Sequence, residues 1–315
     1  MELIPKHATG ERLFYNENLF LSNEYYEELI KAVSHEEIRY YPDPWNSKLT
    51  TAIAEFLSIE REKVLVGAGA DDLLRLLIGQ ARVVGIVEPS YSMYEFLAKS
   101  MGKEVRSVKY PEVDGLKGAD LIVVNSPNNP TGLMYPKSYL EELMSLGTVL
   151  LDEAYVEFSG SEGYVKMAGD GLIVVRTFSK AWGLAGLRVG YAVMDEGKVE
   201  ELKSRSLPYQ VSGVSEAMAL KALTLYRFVE EAIMEMNSVK GWFYRELDHL
   251  GIPYLKSWTN FIFLPLSNYR NAWKFLRERG YQVRLIERPG AKGIRVTLAP
   301  LPTMEGLVKA LGELS

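Results

Sequence analysis

One lysine has unusual neighbours in the segment RTFSKAWGLAGLRVGY, residues 176–191. Lys180 follows the hydroxyl residues Thr177 and Ser179 and precedes Ala, Trp, Gly and Leu, with no acidic residue within several positions. Most lysines are solvated surface residues, but partly apolar surroundings favour the free amine, which can act as a nucleophile. Arg188 lies eight residues further on and carries a guanidinium fork that suits a phosphate group. The segment indicates amine chemistry beside an anion site, with an ordinary surface lysine as the alternative.

A carboxylate ends an apolar run in the segment VLLDEAYVEF, residues 149–158. Asp152 closes the run, and Tyr155 follows three residues later. An unpaired buried carboxylate costs several kcal/mol, so Asp152 needs a cationic or hydrogen-bonding partner. Two interpretations remain open at this point: Asp152 caps the next helix, or it pairs with a cationic heterocycle.

Two further loops carry residues suited to binding a ligand. In GAGADDLLRLLIGQ, residues 67–80, two glycines allow a close backbone approach, and the predicted helix at 71–80 directs its first N–H groups at the loop. In NSPNNPTG, residues 125–132, two prolines stiffen the loop, and Asn129 is placed to aim its amide at a ligand. Each loop taken alone is most simply a turn. Neither matches a dinucleotide or Walker motif.

The four segments together match the needs of one cofactor. Pyridoxal 5′-phosphate requires a lysine for its aldehyde, an acid for its ring nitrogen, donors for its ring oxygen, and amides with cations for its phosphate. The sequence therefore predicts a pyridoxal-phosphate site.

The elements that must position these loops form a repeated pattern of short β-branched runs, Gly/Pro/Asn-rich loops and helical stretches. The runs are apolar throughout, which is typical of strands covered on both faces of a mainly parallel sheet; they lie at residues 64–66, 83–87, 105–108, 121–124, 149–151, 173–175 and 190–193. We predict an α/β fold with a mostly parallel seven-stranded sheet and helices on both faces. Ligands in such sheets bind beyond the carboxyl ends of the strands, where the four loops fall.

A second, smaller domain is predicted from residue 208 onward. A long helical region at 211–251, interrupted near 238–241, precedes short strands near 260–264, 283–285 and 294–298, a helix near 271–279 and a C-terminal helix. A chain longer than roughly 250–300 residues usually divides into domains. We expect an N-terminal segment at 1–30 that packs with the small domain, a large cofactor-binding domain at 31–207 and a small α+β domain at 208–315.

Composition excludes several classes of function. The 315 residues include no Cys and three His, which excludes disulfides, thiolate metal sites and a thiol nucleophile, and no histidine pair has a metal-binding spacing. The net charge is −5, without a basic block, which argues against nucleic acid as a partner. There is no apolar run of about 20 residues and no signal peptide, so no membrane partner and a cytoplasmic location are expected.

The ordered motifs GAGADD, EPSYSMY, SPNNPTG, DEAYVEF and TFSKAWGLAGLRVGY resemble those of the fold-type I pyridoxal-phosphate aminotransferases, and specifically the histidinol-phosphate aminotransferase branch. The resemblance covers residues 16–295. It implies that Lys180 binds the cofactor aldehyde, that Asp152 pairs with the ring nitrogen, and that Tyr155 and Asn129 hydrogen-bond the ring oxygen. It also implies cis peptide bonds before Pro89 and Pro130.

The resemblance assigns the remaining contacts to residues whose plain alternative is surface or core packing. Tyr91 would stack on the ring, and the phosphate would be held by the backbone of Ala70 and Asp71 with Thr177, Ser179 and Arg188. Tyr41 would reach the phosphate of the partner subunit across a homodimer interface with shared active sites. Arg295 would bind the substrate carboxylate, and Arg284 is a further candidate for an anionic substrate group.

By this resemblance the expected reaction transfers an amino group between L-histidinol phosphate and 2-oxoglutarate, in histidine biosynthesis. Phe20 departs from the family pattern, because a tyrosine usually stands there and helps to hold the substrate phosphate; by its position Phe20 is still expected among the substrate-binding residues. Two other enzyme activities therefore stay open: a threonine-phosphate decarboxylase-like activity, and an aminotransferase for aromatic or other amino acids. Some relatives are transcription regulators, but those carry a DNA-binding domain ahead of the catalytic fold, and here the motifs begin by Asn16.

Overall fold

The computed structural model describes residues 10–314, which form two β-sheets with helices packed around them. The strands, in chain order, are β1 (Glu11–Leu13), β2 (Val64–Gly67), β3 (Val83–Glu88), β4 (Glu104–Lys109), β5 (Leu121–Asn125), β6 (Thr148–Asp152), β7 (Leu172–Thr177), β8 (Gly190–Val193), β9 (Phe261–Leu264), β10 (Tyr281–Arg288) and β11 (Ala291–Thr297). The helices are α1 (Asn23–Ile30), α2 (His35–Arg39), α3 (Ser47–Leu57), α4 (Ala70–Gln80), α5 (Ser92–Ser100), α6 (Lys137–Met144), α7 (Glu196–Arg205), α8 (Gly213–Thr224), α9 (Tyr226–His249), α10 (Tyr269–Glu278) and α11 (Leu301–Gly312).

The larger sheet has the strand order β2-β8-β7-β6-β5-β3-β4. Strand β8 runs antiparallel to both of its neighbours, and all other pairs are parallel. Each of the seven apolar runs predicted from the sequence forms one of its strands. The predicted α/β fold with a mostly parallel seven-stranded sheet is therefore confirmed.

Alternate residues of the central strands enter two different hydrophobic clusters. In β5, Leu121 and Val123 belong to the cluster that includes residues of α4, α5 and α7, whereas Ile122 and Val124 belong to the cluster that includes residues of α3 and α6. A strand covered on both sides needs apolar residues at every position, which explains the continuous runs. Strand β4 differs because it lies at the sheet edge, where most of its side chains are at least partly exposed.

The second sheet has the order β1-β10-β11-β9, with β1 parallel to β10 and the other pairs antiparallel. Three of its strands were predicted from the sequence. Strand β1 was not, because three residues are too few to show a period. Its pairing brings the N-terminal residues 11–13 to the C-terminal part of the chain.

The predicted helix interruption near 238–241 is wrong, because α9 continues through these residues. A glycine inside a helix costs about 1 kcal/mol. The same stretch buries Met236, Val239 and Phe243, and burying one such side chain contributes about 1.5–3 kcal/mol. The helical region breaks instead at Leu225, between α8 and α9, where the backbone leaves helical geometry at φ −106° and ψ 21°.

The peptide bonds before Pro89 and Pro130 are cis, as predicted, and those before Pro111 and Pro127 are cis as well. No helix within residues 10–314 combines the length and apolar character needed to cross a membrane.

Candidate active site

A cleft of about 1170 Å³ lies at the carboxyl edge of the larger sheet and is bordered by the strands β10 and β11 of the smaller one. The loops that follow β2, β3, β5, β6 and β7 all contribute lining residues. Every predicted cofactor-binding residue except Tyr41 lines the cleft, as do Arg284 and Arg295. The two sheets thus bring together predicted residues that are as far apart in the chain as Ala70 and Arg295.

Asp152 ends β6 at the bottom of this cleft and is 6% exposed. Its Oδ2 accepts a hydrogen bond of 2.6 Å from the Tyr94 hydroxyl, and its Oδ1 accepts one of 2.9 Å from the backbone N–H of Ala154. Burial raises the pKa of the carboxyl to about 6, against the lowering effect of these two bonds. No cation of the described residues lies within ion-pair distance of Asp152, so the site holds a buried acid without a charged partner.

Lys180 directs its amine into the cleft from the loop after β7. Its Nζ donates a hydrogen bond of 2.8 Å to the backbone carbonyl of Tyr15 and lies 5.7 Å from the ring centroid of Tyr155. The following residues Ala181 and Trp182 are buried, so the apolar sequence neighbours anchor the loop in the core and leave the amine at the surface of the cleft.

The hydroxyl of Tyr155 lies in a polar cluster with two amides. Asn16 Nδ2 donates to it at 2.9 Å, and Asn129 Nδ2 donates to it at 3.5 Å. Asn16 is itself fixed by Thr297 on β11, whose hydroxyl donates to Asn16 Oδ1 at 3.0 Å. The cluster therefore connects the N-terminal segment and both sheets around one phenol.

The loop between β2 and α4 has the geometry of an anion cradle. Gly69 has φ +86°, and a Cβ there would lie 2.7 Å from Arg188 Nη2. A Cβ on Gly190 would lie 2.6 Å from the backbone nitrogen of Ala70. Glycine at both positions lets the first backbone N–H groups of α4 approach the arginine closely. A helix N-terminus beside a guanidinium is a favourable site for a phosphate.

Polar side chains complete the rim of this cradle. Arg188 adopts a left-handed backbone conformation, φ 52°, and donates hydrogen bonds to Asp71 at 3.2 Å and to Ser179 at 3.4 Å. Thr177 Oγ1 accepts a bond of 3.1 Å from the backbone N–H of Ser179. The Tyr91 hydroxyl donates to Asp71 at 3.5 Å.

Arg284 and Arg295 face each other as Cα partners across β10 and β11. Arg295 is 7% exposed and donates hydrogen bonds to Asn129 Oδ1 and to the carbonyl of Phe14. Burial, assisted by the charge of Arg284, lowers the pKa of Arg295 to about 10. Arg284 lies over the ring of Phe14, with Cζ 4.4 Å from the ring centroid.

The structure places two predicted residues outside the cleft. Tyr41 is 86% exposed, and its ring centroid lies 5.2 Å from that of Tyr209. Phe20 was predicted to bind substrate, but its side chain packs into the hydrophobic core and does not line the cleft. An aromatic ring without a hydroxyl gains more from burial than from facing a polar site, which explains this position.

Three residues of the site were missed by the sequence analysis: Tyr94, Asn16 and Phe14. Tyr94 belongs to the motif EPSYSMY and is fully buried against Asp152; the tyrosine three residues after Tyr91 was the available signal. Asn16 and Phe14 carried no such signal, because their partners lie 139 and 281 residues away.

One edge of the sheet holds a buried acid (Asp152), an amine (Lys180), a phenol (Tyr155) and the anion cradle at the start of α4. This combination is typical of enzymes that use an aldehyde cofactor on amino groups. The chain matches the profile of the family described as aminotransferase class I and II over residues 8–314. It is 32% identical over 330 residues to histidinol-phosphate aminotransferase 1 of Bacillus cereus, covering 96% of this chain and 88% of that protein. It is 32% identical over 300 residues to the histidinol-phosphate aminotransferase of Pyrococcus furiosus, covering 91% and 87%.

A solved structure agrees in fold. The histidinol-phosphate aminotransferase from Sinorhizobium meliloti, in complex with pyridoxal 5′-phosphate, has a TM-score of 0.87 and 24% sequence identity, covering 97% of this chain and 90% of that one. The chain belongs to the class I and II aminotransferases. It is a transaminase that depends on pyridoxal 5′-phosphate, as the sequence motifs predicted.

Proposed function

We propose that this transaminase exchanges the amino group of L-histidinol phosphate with 2-oxoglutarate, giving imidazole acetol phosphate and L-glutamate, in histidine biosynthesis. The observation that carries this proposal is the pair of arginines, Arg284 and Arg295, that line one wall of the cleft. A carboxylate and a phosphate are both anions that a guanidinium binds through paired hydrogen bonds. The named activity of the relatives from Bacillus cereus and Pyrococcus furiosus supports the same substrates.

The residues present fit the cofactor. Asp152 is a buried acid that lacks a cationic partner among the described residues, and a protonated ring nitrogen would supply one. Glycine at positions 69 and 190 lets the Arg188 guanidinium and the backbone nitrogen of Ala70 come close to these positions, which suits a phosphate at the start of α4. When bound, pyridoxal 5′-phosphate supplies an aldehyde for the amino group and a ring that accepts electrons.

Each side chain then has a role in holding that group. Lys180 would bind the aldehyde, and Asp152 would pair with a protonated ring nitrogen. Tyr155 and Asn129 would donate hydrogen bonds to the ring oxygen, and Tyr91 would support the face of the ring.

The phosphate would lie at the start of α4. The backbone N–H groups of Ala70 and Asp71 would bind it, and Thr177, Ser179 and Arg188 would donate hydrogen bonds to it. The ion pair between Arg188 and Asp71 is half exposed, so it competes only weakly with a dianion.

Lys180 is also the candidate for moving the substrate proton. Its amine lies in the cleft, where it would act as a general base and general acid toward the substrate Cα, which is catalysis by a held group. Arg295 would bind the substrate carboxylate or phosphate and so orient the substrate toward Lys180.

We further propose a homodimer in which Tyr41 contacts the phosphate bound by the partner subunit. Tyr41 is exposed together with Tyr209, whose ring it contacts, and with its sequence neighbours Ile38 and Tyr40, and exposed apolar side chains of this kind are typical of an interaction surface. Sedimentation of the active protein as a dimer would support this interface, and full activity in a monomer would refute it.

The domain division at 31–207 and 208–315 remains our proposal, as does a cytoplasmic location. The division is supported by the two sheets, one built from residues 64–193 and the other from 11–13 and 261–297. Residues 1–9 of the predicted N-terminal segment lie outside the described residues.

The direct test offers a panel of amino donors to the purified protein and follows the absorbance of the bound cofactor. We expect conversion by L-histidinol phosphate and L-glutamate, and a borohydride-stable label on the peptide that contains Lys180. Conversion by phenylalanine without histidinol phosphate would reject the named substrate and leave the class intact. Release of carbon dioxide without a keto acid would instead indicate a decarboxylase.

A further inference from the structure

Asn16 holds a strained backbone position beside the cleft. It is 1% exposed and lies in the left-handed region at φ 59°, which residues other than glycine seldom adopt. Its backbone N–H donates a hydrogen bond of 3.1 Å to Thr297 Oγ1, and its carbonyl accepts one of 3.0 Å from Asn260 Nδ2. Strain of this kind persists only where the surroundings hold it, and it is frequent at active sites. Contacts with the smaller sheet therefore fix the position of Asn16.

The side-chain amide of Asn16 has a defined direction. Because the Thr297 hydroxyl oxygen accepts the Asn16 N–H, the hydroxyl hydrogen is directed to Asn16 Oδ1, at 3.0 Å. The amide nitrogen then faces Tyr155 and donates to the phenol oxygen at 2.9 Å. Asn129 is oriented in the same way, since Arg295 donates to its Oδ1 and its Nδ2 donates to the phenol oxygen at 3.5 Å. Two amide N–H groups therefore point at one phenol oxygen.

The phenol of Tyr155 consequently has one direction left for its own hydrogen. A hydroxyl oxygen can accept two hydrogen bonds, and the amides of Asn16 and Asn129 take both positions. Within residues 10–314, no group accepts the phenol hydrogen. Tyr155 lines the cleft, so this hydrogen is available to a ligand. A hydroxyl that accepts hydrogen bonds is polarised by them and becomes a stronger donor.

We propose that Asn16 is a positioning residue for the cofactor: its amide occupies the phenol oxygen of Tyr155 and so directs the phenol hydrogen to the ring oxygen of pyridoxal 5′-phosphate. This inference rests on the proposed contact between Tyr155 and the ring oxygen, and it adds a residue that acts through Tyr155 alone. Without the Asn16 amide, the hydroxyl can rotate and face the anionic ring oxygen with a lone pair instead of its hydrogen.

The test uses cofactor-free protein and two ligands that cannot react with Lys180, because both lack the aldehyde. 4-Deoxypyridoxine 5′-phosphate keeps the ring hydroxyl, and its 3-deoxy counterpart lacks it. The ratio of their Kd values, measured by calorimetry and compared between variants, reports the contact at the ring oxygen. A hydrogen bond to a charged group is lost with the hydroxyl, so the parent should bind the 3-deoxy ligand at least about tenfold more weakly.

Two variants remove the donated amide hydrogen in different ways. Asn16→Gly keeps a residue that adopts φ 59° without strain. We expect the ratio of Kd values to fall about fivefold, because only the ligand with the ring hydroxyl binds more weakly. Asn16→Asp keeps the shape of the side chain, but its carboxylate accepts the phenol hydrogen, so the ratio should fall at least as far. This second variant keeps the inference testable if Asn16→Gly folds poorly, and an unchanged ratio in it would overturn the inference.

Asn46→Gly is the matched control. Asn46 is also a buried asparagine in the left-handed region, at φ 49° and 3% exposed, and its Nδ2 donates to Glu216 Oε2 at 3.0 Å. It precedes α3 and does not line the cleft. Its replacement should leave the ratio of Kd values unchanged.

A double-mutant cycle tests whether Asn16 acts through Tyr155. Tyr155→Phe should lower the same ratio by itself, and adding Asn16→Gly should cause no further fall. A further fall in the double variant would overturn the inference. An equal loss of affinity for both ligands in Asn16→Gly would also overturn it, because that result is expected of a merely structural residue.

These binding measurements separate the inference from the proposed reaction, because they need no amino donor. A parent protein that shows the expected ratios but does not accept L-histidinol phosphate would reject only the named substrate. An unchanged ratio in Tyr155→Phe would overturn both this inference and the contact between Tyr155 and the ring oxygen, whichever donor the enzyme accepts.

Discussion

Asp152→Asn should stabilise the cofactor-free protein while it abolishes transamination. Asp152 is buried, accepts hydrogen bonds from Tyr94 and Ala154, and has no ion-pair partner among the described residues. Burial raises the pKa of this carboxyl to about 6 from an ordinary value of 3.8. Asparagine has nearly the same shape and carries no charge, so the change removes the cost of burying an ionised group.

The size of the effect follows from the two pKa values. Because the folded carboxyl keeps its proton to higher pH than the unfolded one, the cost is absent well below pH 3.8 and complete above about pH 6. Above about pH 6, the difference between the unfolded and folded pKa of Asp152 corresponds to a loss of about 3 kcal/mol in the free energy of unfolding. Asparagine has no acceptor for the Ala154 N–H once its single oxygen faces Tyr94, which costs about 1 kcal/mol. The net gain in the free energy of unfolding is therefore about 2 kcal/mol at neutral pH.

Urea unfolding of the cofactor-free parent and variant at two pH values tests this reasoning. The advantage of Asp152→Asn should grow by about 1.4 kcal/mol between about pH 5 and about pH 7.5. Asp170→Asn is the control, because Asp170 is exposed and its replacement should show no such growth. An advantage of Asp152→Asn that is equal at both pH values would refute the assigned cause. Retained transamination would refute the role of the charge.

Three other changes have defined outcomes. Tyr94→Phe removes the 2.6 Å bond to Asp152 and should raise the Kd of the cofactor at least about tenfold in a fluorescence titration. Gly69→Ala puts a Cβ 2.7 Å from Arg188 Nη2 at φ +86°, so cofactor affinity should fall while urea unfolding of the cofactor-free protein shows a loss of about 1–2 kcal/mol. Burial lowers the pKa of Lys240 to about 8 from 10.5. Because the folded protein loses this proton at lower pH than the unfolded chain, the free energy of unfolding of the parent should rise by about 2 kcal/mol between about pH 7 and about pH 9.5. Lys240→Met should lack that rise.

The larger sheet and most of the cleft could be predicted from the sequence because their signals are local. A strand covered on both faces must be apolar at every position, so each of the seven apolar runs predicted one strand of the larger sheet. The candidate roles of Asp152 and Lys180 could be predicted for a similar reason: Asp152 ends one strand, Lys180 lies in the loop after another, and the carboxyl ends of parallel strands lie at one edge of the sheet. The predicted break in α9 around Gly241 was wrong, because the burial of neighbouring apolar side chains outweighs the cost of a glycine inside the helix.

The contacts that complete the site depend on tertiary structure alone. The carbonyls of Phe14 and Tyr15 and the amide of Asn16 meet Arg295, Lys180 and Tyr155 only because β1 pairs with β10, at the other end of the chain. Pairing between strands so far apart in the chain depends on which surfaces can be buried together. The three residues of β1 are too few to show a hydrophobic pattern that would predict this pairing. The sequence by itself thus predicted which groups would do the chemistry, while packing between the two sheets decided which neighbours hold them and that Phe20 packs in the core instead of lining the cleft.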